Sequence, residues 1–175
     1  MLRIFSSNVI IDGSNSGTTS RNLTLTNGSS ASPQTVLIGT AKGKEPVHDV
    51  IIKNSNFLND YNYGIDVFIG SAVNQYWPGN FKNITIQNNN LQKAGTGIFA
   101  TAIIPGNNGT GLNIIGNDML GTGTNAIYNN GIYLQGVHGA NIIKNNISIF
   151  DVSADNIKGI WLDTGTTNIY VYGNN

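Results

Sequence analysis

The chain has 175 residues, nine basic and nine acidic side chains, no cysteine, and only 10% charged against 39% hydrophobic residues. A formal net charge of zero excludes a nucleic-acid binder held by phosphate contacts, and the lack of cysteine excludes zinc fingers and disulfide scaffolds. No apolar run approaches the roughly 18 residues of a membrane span, so no membrane insertion is expected.

About one residue in six is asparagine, yet the chain is too hydrophobic for simple disorder. Its length suits a single domain over residues 1–175. Short apolar-alternating segments predict strands in chain order at 9–12, 23–30, 36–39, 50–57, 65–68, 84–91, 98–101, 112–119, 132–135, 140–147, 160–163 and 169–175. They fall into two interleaved sets. The longer segments, beginning at Leu23, Val50, Ile84, Leu112, Ala140 and Ile169, align without gaps, with starts 27, 34, 28, 28 and 29 residues apart. In each, the first and third positions are apolar and a short Asn, Gly, Ser or Asp turn follows. The quartets beginning at Val9, Val36, Ile65, Ile98, Ile132 and Ile160 show the same alternation.

With no helical stretch between them, these strands predict an all-β, parallel β-helix of about five to six coils, about 28 residues per coil, stacked about 4.8 Å apart. A β-sandwich has no reason to repeat one turn in one column. Asn89, Asn117, Asn145 and Asn174 share a column with Ser55 and Gly28, and the next column holds Asn56, Asn90, Asp118, Asn146 and Asn175. Stacked amides there can hydrogen-bond along the solenoid, and Asn tolerates the left-handed backbone of tight turns.

Repeats such as Asn83-Ile-Thr-Ile-Gln-Asn-Asn-Asn90 and Gly131-Ile-Tyr-Leu-Gln-Gly136 resemble the right-handed parallel β-helix, or pectin-lyase-like, superfamily over nearly the whole chain. The Asn/Gly/Thr-rich style is also similar to β-helix segments of large secreted bacterial surface proteins. The resemblance implies an extracellular setting, secreted or cell-surface, and a polysaccharide ligand. It does not extend to an enzyme site, because neither the aspartate cluster of polygalacturonase-type members nor the calcium-plus-base arrangement of pectate-lyase-type members is evident. The only arginines, Arg3 and Arg21, lie in the first coils.

Outward positions on the quartet strands place Ile10, Leu37, Asp66, Phe99, Tyr133 and Trp161 in one column, and Asp12, Gly39, Phe68, Thr101, Gln135 and Asp163 in another. Asp66 and Asp163 are then three coils, about 14 Å, apart. Glycosidase carboxylates stand about 5 to 9.5 Å apart, so these two are not a catalytic couple. A more compact candidate catalytic group joins Asp163, His138, Asp151 and Asp155, which could supply general acid and base or hold calcium through oxygen ligands. The alternative is that Asp151 and Asp155 are solvated loop residues and His138 a turn residue. No cofactor is required by the pattern.

Phe99, Tyr133 and Trp161 on successive coils form the candidate binding column, with Gln135, Asp66 and Trp77 beside it and loops 70–80, 121–130 and 149–158 as walls. The alternatives are an ordinary aromatic ladder or a surface covered by another part of the protein. Ile115 and Ile143, continuing into Tyr170 and Tyr172, offer a second outward patch for packing against another chain. Because Asn174 and Asn175 fall inside the sixth turn, the chain reads as part of a longer protein or as one that packs end to end. The leading expectation is a polysaccharide-binding module. The alternatives are a polysaccharide lyase or glycoside hydrolase, and a structural or adhesive repeat without a small ligand.

Overall fold

Strands that alternate apolar and polar residues each need one covered face, and three such strands per turn cover one another around a shared interior. The computed structural model describes residues 1–40, 44–73, 76–106, 108–148 and 157–175. It is a parallel β-solenoid of about five turns, about 31 residues apart. The first turn holds β1 (Leu2–Ile4), β2 (Val9–Asp12) and β3 (Leu23–Asn27). The second opens with β4 (Gln34–Gly39) and β5 (Val47–Lys53), and β6 (Ser55–Gly70) runs around a corner into the third. There follow β7 (Phe81–Gln87), the corner strand β8 (Asn90–Thr101), β9 (Gly109–Ile115), β10 (Asp118–Met119) and β11 (Ile127–Gln135). The last turns hold β12 (His138–Ile143), β13 (Asn146–Ile147), β14 (Lys158–Leu162) and β15 (Thr167–Tyr172).

Stacking these elements gives two sheets, with every strand pairing parallel. A six-stranded sheet runs β15-β12-β9-β7-β5-β2. The other has nine strands and covers two sides of the solenoid, because β6 and β8 belong to both. Inside, like side chains sit above like. Ile52, Ile86, Ile114 and Ile142 are in register and fully buried, each contributing roughly 1.5–3 kcal/mol of hydrophobic stabilisation.

After every strand of the six-stranded sheet except β2 the chain turns through a left-handed residue: Asn54, Asn88, Gly116, Lys144 and Gly173 have φ between 49° and 62°. The next residue carries the predicted ladder. The Oδ1 atoms of Asn89, Asn117, Asn145 and Asn174 accept from the backbone N–H of Ser55, Asn89, Asn117 and Asn145 at 2.9–3.0 Å. Their Nδ2 groups donate to the carbonyls of Ile52, Ile86, Ile114 and Ile142 at 2.8–3.0 Å. The amides therefore satisfy backbone groups that the turn would otherwise leave orphaned in the interior. The outer column is tied as well, with Asn146 donating to Asp118 at 2.7 Å and Asn175 to Asn146 at 3.1 Å.

Two expected alignments are corrected. Val9 pairs with Val50, so β2 belongs to the six-stranded sheet, while Leu23 pairs with Ser55 on the other. Gly28 consequently lies past the end of β3 and outside the ladder. The second correction is a slip of two residues in β6: Val67, not Ile65, faces Val36 and Ile98. A two-residue slip preserves the inward–outward alternation, so the sequence pattern does not detect it.

Candidate functional site

The slip in β6 rebuilds the outward column of the nine-stranded sheet. Arg3, Leu37, Phe68, Phe99, Tyr133 and Trp161 stand in register on six successive strands. Strand spacing of about 4.8 Å is close to the thickness of stacked rings, and the geometry follows. Phe99 and Tyr133 stack with centroids 4.5 Å apart and planes 3° apart, and Tyr133 and Trp161 stack at 4.3 Å and 11°. Phe68 meets Phe99 at 5.5 Å, tilted by 51°, and Tyr76 meets Phe68 at 6.3 Å. Tyr133 thus has a ring against each face. What it presents outward is an edge and a hydroxyl, so a sugar ring cannot lie flat on it.

Polar groups gather at the C-terminal end of this column. The Tyr133 hydroxyl donates to Asp163 Oδ2 at 2.7 Å. That bond, with the Thr164 backbone N–H, holds the Asp163 carboxyl below its usual range. Burial first, and then the bond to Asp163, pushes the Tyr133 hydroxyl up to about 12. Asp163 is therefore an ionised acceptor and Tyr133 a standing donor at neutral pH. The Lys158 ammonium lies 4.2 Å from the centre of the Trp161 ring, a cation–π contact. One coil back, Gln135 Oε1 accepts from the Thr101 hydroxyl at 3.2 Å.

The other expected site residues fall elsewhere. His138 sits on β12 in the six-stranded sheet, with Nδ1 2.7 Å from the Thr167 hydroxyl and Nε2 3.2 Å from Asn168 Nδ2. No hydrogen bond joins it to Asp163, whose own bonds go to Tyr133 and Thr164. Asp151 and Asp155 lie outside the described residues. Among the described residues no three His, Asp or Glu side chains gather as a metal-holding group. Trp77 is 62% exposed on the loop after β6, and its carbonyl accepts from Ser71 N–H at 2.8 Å.

Asp66 is the clear correction. Expected on the ligand-facing column, it is fully buried and stands two residues before Phe68, the member of that column on its strand. Burial pushes its carboxyl well above the usual range, against the lowering effect of the Thr35 hydroxyl and the Asn59 and Gln92 backbone amides. The Thr35 hydroxyl donates to Oδ1 at 3.3 Å and Oδ2 has no partner. A carboxyl enclosed in this way cannot meet a substrate.

The flank of the six-stranded sheet carries a feature that strand periodicity does not mark. A cleft of about 500 Å³ lies there between Thr18 and Thr19 of the loop after β2 and the row Lys53, Gln87 and Ile115. Arg21 fastens the end of that loop across several turns, donating to Asn88 at 2.9 and 2.7 Å and pairing with Asp118 at 2.7 Å. A long-range contact of this kind leaves no periodic trace in the sequence, although a lone arginine beside a polar loop is its raw material.

Fold and site together define a parallel β-solenoid with an aromatic ladder whose first rings, Phe68 and Phe99, are buried at 0% and 7% exposure, contrary to the ligand-facing place expected for Phe99, and whose half-buried end at Tyr133 and Trp161 meets a charged, hydrogen-bonding cluster. In comparisons with known proteins, no family model, no curated sequence and no solved structure matches the chain.

Proposed function

We propose that the chain is an extracellular polysaccharide-binding module of the pectin-lyase-like β-helix kind, holding its ligand along the outward face of the nine-stranded sheet over the last turns. The observation that carries this reading is the cluster of Asp163, the Tyr133 hydroxyl, Gln135 and Lys158 around the exposed edge of an aromatic ladder. A ladder alone does not require these groups. Sugars offer paired hydroxyls to an ionised acceptor and a fixed donor, and apolar C–H edges to an aromatic rim. Contact is through the half-buried edges of Tyr133 and Trp161 and not by flat stacking.

Calorimetric titration with neutral, carboxylated and sulfated polysaccharides tests the reading. Binding should appear with at least one class and fall about tenfold or more with Asp163→Asn and with Trp161→Ala, as for central contact residues. Absence of binding across all classes, or equal binding by both variants, overturns it and favours a structural or adhesive role.

A further inference from the structure

The N-terminal end of the same aromatic column also carries an unassigned group. Arg3 stands in register with Leu37, two strands below the first ring, Phe68, and its side chain is exposed. It forms no ion pair or hydrogen bond with another described residue, although Arg21, Lys53 and Lys93 are each paired with an aspartate. Beside it is a small cavity of about 100 Å³ lined by Met1, Arg3, Gln34, Leu37, Ser71, Ala72 and Val73. Gln34 is only 2% exposed, and its Nε2 is a buried donor with no acceptor among the described residues. Leaving such a donor unsatisfied is costly, so an acceptor supplied from outside is favoured there.

The chemistry of the lining restricts what that acceptor is. A guanidinium and an amide N–H₂ offer donors only, and no carboxylate is among the described residues of the wall. The volume corresponds to about three water molecules, enough for one carboxylate or sulfate group and too little for a sugar ring. An arginine fork beside a second donor is the usual means of holding such a planar or tetrahedral oxyanion.

We propose that this cavity is an oxyanion site that takes the carboxylate or sulfate group of an acidic glycan. The oxyanion preference rests on Arg3 and Gln34 alone, whereas the glycan as its carrier rests on the function proposed above. The wild-type chain is titrated first with sodium acetate and sodium sulfate, against sodium chloride at equal ionic strength, while NMR follows the Arg3 Nε–H and Gln34 Nε2 signals. Saturable shifts are expected with acetate or sulfate and not with chloride. They should vanish in Arg3→Ala, a surface change that leaves the thermal midpoint in place, and in Gln34→Glu.

The second arm compares carboxylated, sulfated and neutral polysaccharides. Arg3→Ala should weaken binding of the matching acidic glycan about tenfold or more, in line with loss of a charge-assisted hydrogen bond, and leave neutral glycans unchanged. The carboxylated and sulfated arms distinguish the two carriers. Saturable anion shifts without any glycan binding would keep the site and remove the proposed function. Glycan binding that depends on Trp161 but is indifferent to Arg3→Ala, with no anion shifts, would keep the function and overturn the site.

Discussion

Asn117 offers the strictest test of what holds the solenoid together. It is fully buried at the middle of the ladder. Its Oδ1 accepts from Asn89 N–H at 3.0 Å and from Asn89 Nδ2 at 3.1 Å, while its Nδ2 donates to the Ile86 carbonyl at 2.9 Å and to Asn145 Oδ1 at 3.0 Å. Replacing it by alanine leaves two groups without these partners, the Asn89 N–H and the Ile86 carbonyl. The others keep alternatives: Asn89 Nδ2 still reaches the Ile52 carbonyl and Asn145 Oδ1 still accepts from the residue 117 N–H.

Two buried orphans at roughly 1–3 kcal/mol each give a loss of about 2–6 kcal/mol. For a chain of this length that corresponds to a fall of roughly 4–24 °C in the thermal midpoint. Asn141→Ala is the matched control, because Asn141 is an exposed ladder residue whose Nδ2 donates to Asn113 Oδ1 at 2.8 Å. It should cost no more than about 0.5 kcal/mol, the range of ordinary surface changes. Thermal unfolding followed by circular dichroism, with amide hydrogen exchange at residues 86 and 89, reads both variants. Equal midpoints for Asn117→Ala and Asn141→Ala would refute the claim that the inner amides stabilise the turns.

The remaining two predictions concern Asp66 and Gly39. Because burial raises the folded-state value of Asp66 above the ordinary carboxyl value near 4, the folded chain holds this proton where the unfolded chain has released it. Its stabilisation is complete below about pH 4 and declines as pH rises through the folded-state value. Urea midpoints should therefore fall over that interval, and Asp66→Asn should flatten the slope; an unchanged slope would sink the assignment. At Gly39, a Cβ would sit 1.7 Å from the Gly70 carbonyl oxygen, so Gly39→Ala must push β4 and β6 apart, at a cost of about 1–3 kcal/mol or more. Gly159→Ala, with nothing within 4 Å and no left-handed backbone, is its control, and equal thermal midpoints for the two would contradict the close strand approach.

The sequence made the Asn column legible because a ladder needs the same side chain at the same place, and Asn89, Asn117, Asn145 and Asn174 do interlock as their spacing predicts. Alternation alone is less informative. It reports that a strand has one inner face, not which sheet it joins, and so Leu23 and Val50 could be aligned although β3 and β5 lie on different sides. The same ambiguity set Asp66 beside Phe99 in place of Phe68, and it was settled only by the pairing of Val67 with Ile98. Ring orientation was not legible at all. Outwardness fixes where Tyr133 starts, while its plane is decided by the rings above and below it. Nor could spacing show that the imidazole of His138 would be occupied by Thr167 and Asn168, since these bonds cross from one turn to the next.

The charges give the column a direction and a length. A chain with so few ionic groups places many of them in local pairs, including Lys53 with Asp12 and Arg21 with Asp118. Along the outward column, a guanidinium stands at one end and Lys158, Trp161 and Asp163 at the other. Five strand steps separate Arg3 from Trp161, about 24 Å at the usual spacing. A single sugar cannot touch both ends, and Leu37, Phe68 and Phe99 between them are buried at 6%, 0% and 7% exposure, so the two ends stand as separate polar sites joined by a covered apolar row. The middle of the column is thus a second apolar core, with Ile65 beside Leu37, Phe68 and Phe99, and only its two ends remain polar.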